Sequence, residues 1–163
     1  LIETSLATRW HVPAEKATLL AHLADGRLGW AVQAAEDGTI LQTRTEQLGF
    51  LHEALAARRA HRFNLAEKLA RKPETLPDLL KTWLSWWRDL TLLNQRRGKP
   101  ISLMLTNVDE VERLEPLAST WTEAQINNSL NQTNEAIWQL ERNANTRLVL
   151  ENLFLVYPLP EPA

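Results

Sequence analysis

Cysteine is absent from the 163-residue sequence, so neither disulfides nor thiolate metal sites can form. Redox chemistry therefore leaves the compartment open. Glycine is scarce, with five in the chain, whereas long β-proteins spend glycine on tight turns. That scarcity, beside abundant Leu, Ala, Glu, Arg and Gln, predicts helices throughout. No apolar run approaches the roughly 20 residues that span a bilayer, and no signal peptide is visible. A soluble cytoplasmic protein without a membrane partner is the expectation. Helical periodicity begins at the first residues (Ile2, Leu6, Arg9, Trp10), which predicts a piece of a longer protein.

Motifs that carry chemistry are missing as well. There is no phosphate-cradling GxxxxGKS/T or GxGxxG loop, no HExxH zinc pair and no GxSxG nucleophile elbow. His11, His22, His52 and His61 are scattered without ligand spacing, as structural or surface histidines are. Carboxylates fall mostly on polar helical faces. Glu151 is the exception, beside Leu150 and Leu153, and is expected to be buried against an arginine. The chain is therefore expected to hold no cofactor or metal and to have no catalytic residues of its own.

What is present is charge asymmetry and strong helical punctuation. Residues 1–99 carry 15 Lys and Arg against 11 Asp and Glu, while residues 100–163 carry 3 against 9. Such a split suits either nucleic acid near one half or charged faces meeting in an oligomer. Three short helices are predicted first: one ending near Trp10, one over 13–24 closed by Asp25-Gly26, and one over 28–36 closed by Asp37-Gly38. They bury little alone and read as a small unit, residues 1–38. Residues 39–163 read as a helical bundle, with helices near 39–59, 64–71, 76–93, 108–119, 123–142 and 148–157. Thr75 with Asp78, and Thr122 with Gln125, have capping-box spacing, while Asn107 with Glu110 is expected to cap the helix near 108–119 and Asn145 the last. Arg96 to Pro100 reads as a loop. The fold class is all-α.

Apolar residues cover most of the circumference of helix 76–93, including Trp83, Trp86 and Trp87, so it should lie at the centre. Trp83 is expected in the core. Trp86 and Trp87 diverge by about 100° on a helix, so one should reach a boundary; Trp86, with Arg88, is the candidate subunit contact. Arg58, Arg59, Arg62, Lys68, Arg71 and Lys72, opposed only by Glu67, form a candidate phosphate-contacting stretch, with a solvated helical face as the commoner role for such runs. The uncharged polar run Gln125 to Gln132 suits an exposed or inter-subunit surface.

Three passages carry a resemblance. Val12-Pro13-Ala14-Glu15-Lys16-Ala17, continuing through Leu23-Ala24-Asp25-Gly26-Arg27-Leu28-Gly29-Trp30-Ala31, resembles the lid of clamp-loader ATPase-like subunits. Trp83-Leu84-Ser85-Trp86-Trp87-Arg88-Asp89-Leu90 is similar to a segment of their collar. Leu140-Glu141-Arg142-Asn143-Ala144-Asn145-Thr146-Arg147-Leu148-Val149-Leu150-Glu151-Asn152-Leu153 resembles the closing collar helix. The chain thus resembles the C-terminal part of bacterial DNA polymerase III clamp-loader subunits of the delta prime kind. The resemblance implies a lid over 1–38 and a collar over 39–163, with the ATP-binding core absent. Partners would be the other clamp-loader subunits in a hetero-oligomeric ring, with the sliding clamp and primed DNA associated indirectly. Trp30 stands where active relatives carry an arginine that senses the nucleotide, and Arg27 lies three residues earlier. A tryptophan cannot neutralise phosphate charge, so a non-hydrolysing, stator-like member is implied. A free-standing helical adaptor, a helical nucleic-acid binder, and the collar of an ATP-hydrolysing subunit or a related helical-collar ATPase are the competing readings.

Overall fold

The computed structural model describes residues 1–96 and 104–162; of the expected loop Arg96 to Pro100, residues 97–100 lie outside that description. Among the described residues the chain is all-α, without a strand. Helices α1 (Ile2–Arg9), α2 (Ala14–Ala24) and α3 (Leu28–Glu36) come first. They are followed by α4 (Gly38–Ala56), α5 (Arg59–Ala70), α6 (Leu76–Gln95), α7 (Val111–Thr120), α8 (Glu123–Glu141) and α9 (Thr146–Val156).

Two apolar clusters organise these helices. Leu6, Ala17, Leu20, Ala24, Ala31 and Ala34 form the smaller one, packed by small side chains that let α1, α2 and α3 approach closely. The larger one is built around α6, which packs against α4, α7 and α8, while α9 lies against α5 and α8. α4 belongs to both, since Ile40 and Leu41 pack on the first cluster and Leu48 and Leu51 enter the second.

Local chemistry explains most helix ends. Asp25 and Gly26 take the left-handed conformation after α2, at φ 46° and 84°, and glycine does so without a Cβ penalty. Thr122 Oγ1 accepts from Gln125 N–H at 3.2 Å while Gln125 Oε1 accepts from Thr122 N–H at 2.9 Å, a complete capping box. Asn145 Oδ1 accepts from Leu148 N–H at 3.0 Å to start α9. Asp37 not only follows α3 but caps α4, accepting from Thr39 N–H at 2.9 Å.

Three boundaries depart from the expectations. Thr75 does not cap α6: Pro73–Thr75 is a 3-10 turn, and the Thr75 hydroxyl donates to the Lys72 carbonyl instead. Asn107 does not cap α7 because its side chain is committed elsewhere, and a 3-10 turn over Val108–Glu110 intervenes. α4 stops at Ala56 and α5 starts at Arg59, well before the residues expected. No glycine or proline marks that break; the Arg62 guanidinium, described below, donates to the carbonyls of Ala54 and Ala57 there.

Candidate functional site at the junction of the helical units

The tryptophans of α6 are all interior. Trp83, Trp86 and Trp87 are each 0% exposed. Trp83 Nε1 donates to the Gln47 carbonyl at 2.7 Å, and Trp86 Nε1 to Glu110 Oε2 at 3.3 Å. Trp87 stacks on Trp121 with centroids 5.7 Å apart and meets Trp86 edge-on at 5.2 Å. Trp86 is therefore not a subunit contact. Helices cover α6 on several sides, so even side chains that diverge by about 100° find cover. Arg88, on the same helix, is exposed and forms no ion pair with any described residue.

One residue beyond Arg88, Asp89 is buried and organises the return of the chain. Its carboxylate accepts from Thr106 N–H at 3.0 Å, Asn107 N–H at 2.6 Å and Asn107 Nδ2 at 2.8 Å. Asn107 Oδ1 in turn accepts from Arg44 Nη2 at 2.7 Å, and Arg44 pairs with Asp109 at 2.7 Å. From the three-helix unit, His22 Nδ1 meets the Leu105 carbonyl at 2.9 Å. Residues 105–109 thus tie α2, α4 and α6 together. Burial pushes the Asp89 carboxyl above its ordinary pKa, against the hydrogen bonds and the Arg44 charge that favour the anion.

A second carboxylate balances differently. Burial raises Glu110, but His52, Trp86 and Arg113 together hold it below its usual range. His52 Nε2 lies 2.8 Å from Glu110 Oε2.

Beside the Asp89 network the three-helix unit and the bundle enclose a cleft of about 750 Å³. Arg27 and Trp30 line one side, Arg44 and Gln47 come from α4, and Lys81 and Arg88 from α6. Arg27 Nε donates to the Ala24 carbonyl at 3.0 Å, and its guanidinium lies 5.7 Å from the Trp30 ring centroid. The structure thereby brings Arg27, Trp30 and Arg88 to one place, although they stand in passages far apart. Lys81, Arg44 and Asp89 were not singled out by the sequence; only the seven-residue spacing of Lys81 and Arg88 on α6 carried a signal.

The basic stretch lies elsewhere, and one of its six cations is interior. Arg62 is 1% exposed and pairs with no carboxylate among the described residues. Its Nε donates to the carbonyls of Ala54 and Ala57, and its Nη atoms donate to those of Phe154, Tyr157 and Pro158. Its expected role on phosphate is therefore corrected to capping the C-terminal ends of α4 and α9, where helix dipoles favour a cation. Arg58, Arg59, Lys68, Arg71 and Lys72 remain exposed. Lys68 rests on Phe50, at 5.2 Å, and Arg71 lies 3.8 Å from Glu67. Glu151 is paired with an arginine as expected, Arg147 at 2.8 Å, but across one turn of α9 and partly in solvent rather than in the core.

Exposed apolar side chains sit on the outer helices. Trp138 on α8 is 49% exposed and Leu148 and Leu155 on α9 are 55% and 51% exposed. Leu148 and Leu155 stand two turns apart on the face of α9 opposite Val149, Leu150, Leu153 and Phe154. Arg142 covers part of Trp138, its guanidinium 3.8 Å from the ring centroid. No family model matches this chain, nor does any curated protein or any solved structure. No helix of the described residues is long and apolar enough to cross a membrane.

Proposed function

We propose that this chain is an assembly element, the lid and collar part of a clamp-loader subunit of the delta prime kind, which holds neighbouring subunits in order without itself hydrolysing ATP. The observation that supports this reading most is the pairing of a three-helix unit, with its own small core, to a larger bundle that leaves large apolar residues uncovered on α8 and α9. In such an assembly Leu148 and Leu155 would be covered by a neighbouring subunit. Complete burial of a leucine stabilises by about 1.5–3 kcal/mol, and with about half of each side chain still exposed the pair would add roughly the worth of one buried leucine to that contact. Trp86 has no part in that contact, because it is already consumed by the chain's own core.

The test is reconstitution of this chain with the remaining clamp-loader subunits of the same organism, followed by sizing of the complex. Stable incorporation that is lost in Leu148→Glu/Leu155→Glu, a change at exposed positions, supports the collar reading. A well-folded chain that never associates overturns it and leaves a free-standing helical adaptor ahead.

A further inference from the structure

We infer that the cleft between the three-helix unit and the bundle is a docking site for a short acidic, partly apolar peptide segment of a partner protein. Its charge is the first reason. Lys81 and Arg88 lie two turns apart on α6, a separation of about 10.5 Å, and both are exposed. Neither forms an ion pair with a described residue, whereas Arg44, Arg71, Arg96, Arg113 and Arg147 all do. Arg27 adds a third cation from the opposite wall.

Two carboxylates, Asp25 and Asp78, also line the cleft. Asp78 stands on the first turn of α6, ten residues before Arg88, so the α6 wall is polarised, negative at its start and positive further along. A uniformly charged nucleic-acid backbone would be repelled at one end. A peptide that places carboxylates opposite Lys81 and Arg88 and leaves the start of α6 alone is complementary, and guanidinium groups bind carboxylates with two parallel hydrogen bonds.

Shape and rigidity are the second reason. Trp30, Ile40, Leu84 and Ile137 supply apolar lining between the charges. The volume lies within the roughly 300–1,000 Å³ of pockets that enclose small ligands, so it admits a few side chains and not a folded surface. Its wall is already fixed by Asp89, Asn107 and Arg44, which spares the ordering cost that weakens binding to mobile surfaces. The inference rests on the cleft alone and stands or falls independently of the clamp-loader reading.

The experiment is fluorescence anisotropy of the whole chain with a labelled, capped hexapeptide of alternating Glu and Leu. Saturable binding is expected, weakened at least tenfold in Lys81→Glu/Arg88→Glu and unchanged in Arg58→Glu/Arg59→Glu, whose residues lie outside the cleft. Circular dichroism of both variants should match the parent, because all four positions are exposed. Three outcomes overturn the inference: no saturable binding, equal binding by the Lys/Leu counterpart peptide, or binding indifferent to the Lys81/Arg88 reversal. A single-stranded oligonucleotide that binds through Lys81 and Arg88 while the acidic peptide does not would assign the cleft to nucleic acid instead.

Discussion

Arg62 Nη1 donates to the Tyr157 carbonyl at 2.7 Å, tying the first turn of α5 to the end of the neighbouring α9, 95 residues further along the chain. The guanidinium is buried with no carboxylate among its hydrogen-bond partners. Two converging helix C-termini take the place of an anion, each offering terminal carbonyls to the guanidinium. Burial pulls the arginine's pKa down, yet an arginine remains charged in any accessible environment.

Arg62→Ala should consequently destabilise the chain by about 3–5 kcal/mol, since buried carbonyls would be left without donors. Arg62→Lys should recover part of that loss, because an ammonium brings three donors but not the planar fork. Urea denaturation followed by far-ultraviolet circular dichroism measures both. Full stability of the alanine variant would show that water satisfies those carbonyls.

Trp86→Ala should act on stability too, lowering it by about 3–5 kcal/mol as large-to-small core changes do. Glu110 would also lose the indole N–H. If the substitution left the unfolding midpoint untouched and weakened only an association, Trp86 would have to be placed at a surface after all.

Asp89, buried, and Glu110, partly buried, set opposing pH dependences. The folded pKa of Asp89 is raised, so its stabilising share is complete below the unfolded value and is lost as pH rises through the folded one. Glu110 is lowered, so its share is present above the unfolded value and disappears as pH falls through the folded one. In a pH series of urea midpoints, Glu110→Gln should flatten the acid-side fall in stability. Asp89→Asn should remove the loss of stability expected as pH rises just above the ordinary carboxylate range. A Glu110→Gln profile that tracks the parent throughout would remove Glu110 from the acid limb.

Thr122→Ala should cost about 1 kcal/mol, the usual worth of an N-cap hydroxyl. Thr75→Ala should cost less, because the Thr75 hydroxyl makes no cap bond to α6. Thermal melts of the two variants side by side decide the matter, and equal losses would put a capping role back at Thr75.

Much of the helix architecture is legible in the residues, and the exceptions share a cause. Capping at Thr122 and Asn145 and the turn at Asp25-Gly26 are local, so a few adjacent residues suffice to recognise them. Thr75 and Asn107 have the same spacing signals and fail as caps. Asn107 fails because its Oδ1, the atom a cap would use, accepts from Arg44, 63 residues away, while Asp89 holds its donors. Arg62 was grouped with its basic neighbours because composition cannot tell a solvated arginine from one enclosed by the ends of two other helices. In the same way Trp86 was assigned outward by its angle to Trp87, whereas the helices around α6 enclose both.

By itself, the sequence determined that this chain is helical, where most helices lie and that α6 is central, because propensity, periodicity and caps act within a few turns. Tertiary structure alone decided that Arg27, Trp30, Lys81 and Arg88 share a cleft, that Arg62 is a buried cap, and that Leu148 and Leu155 face solvent together. Those outcomes depend on which distant elements meet, and a guanidinium, an indole or a leucine carries no mark of its neighbours until the chain has folded.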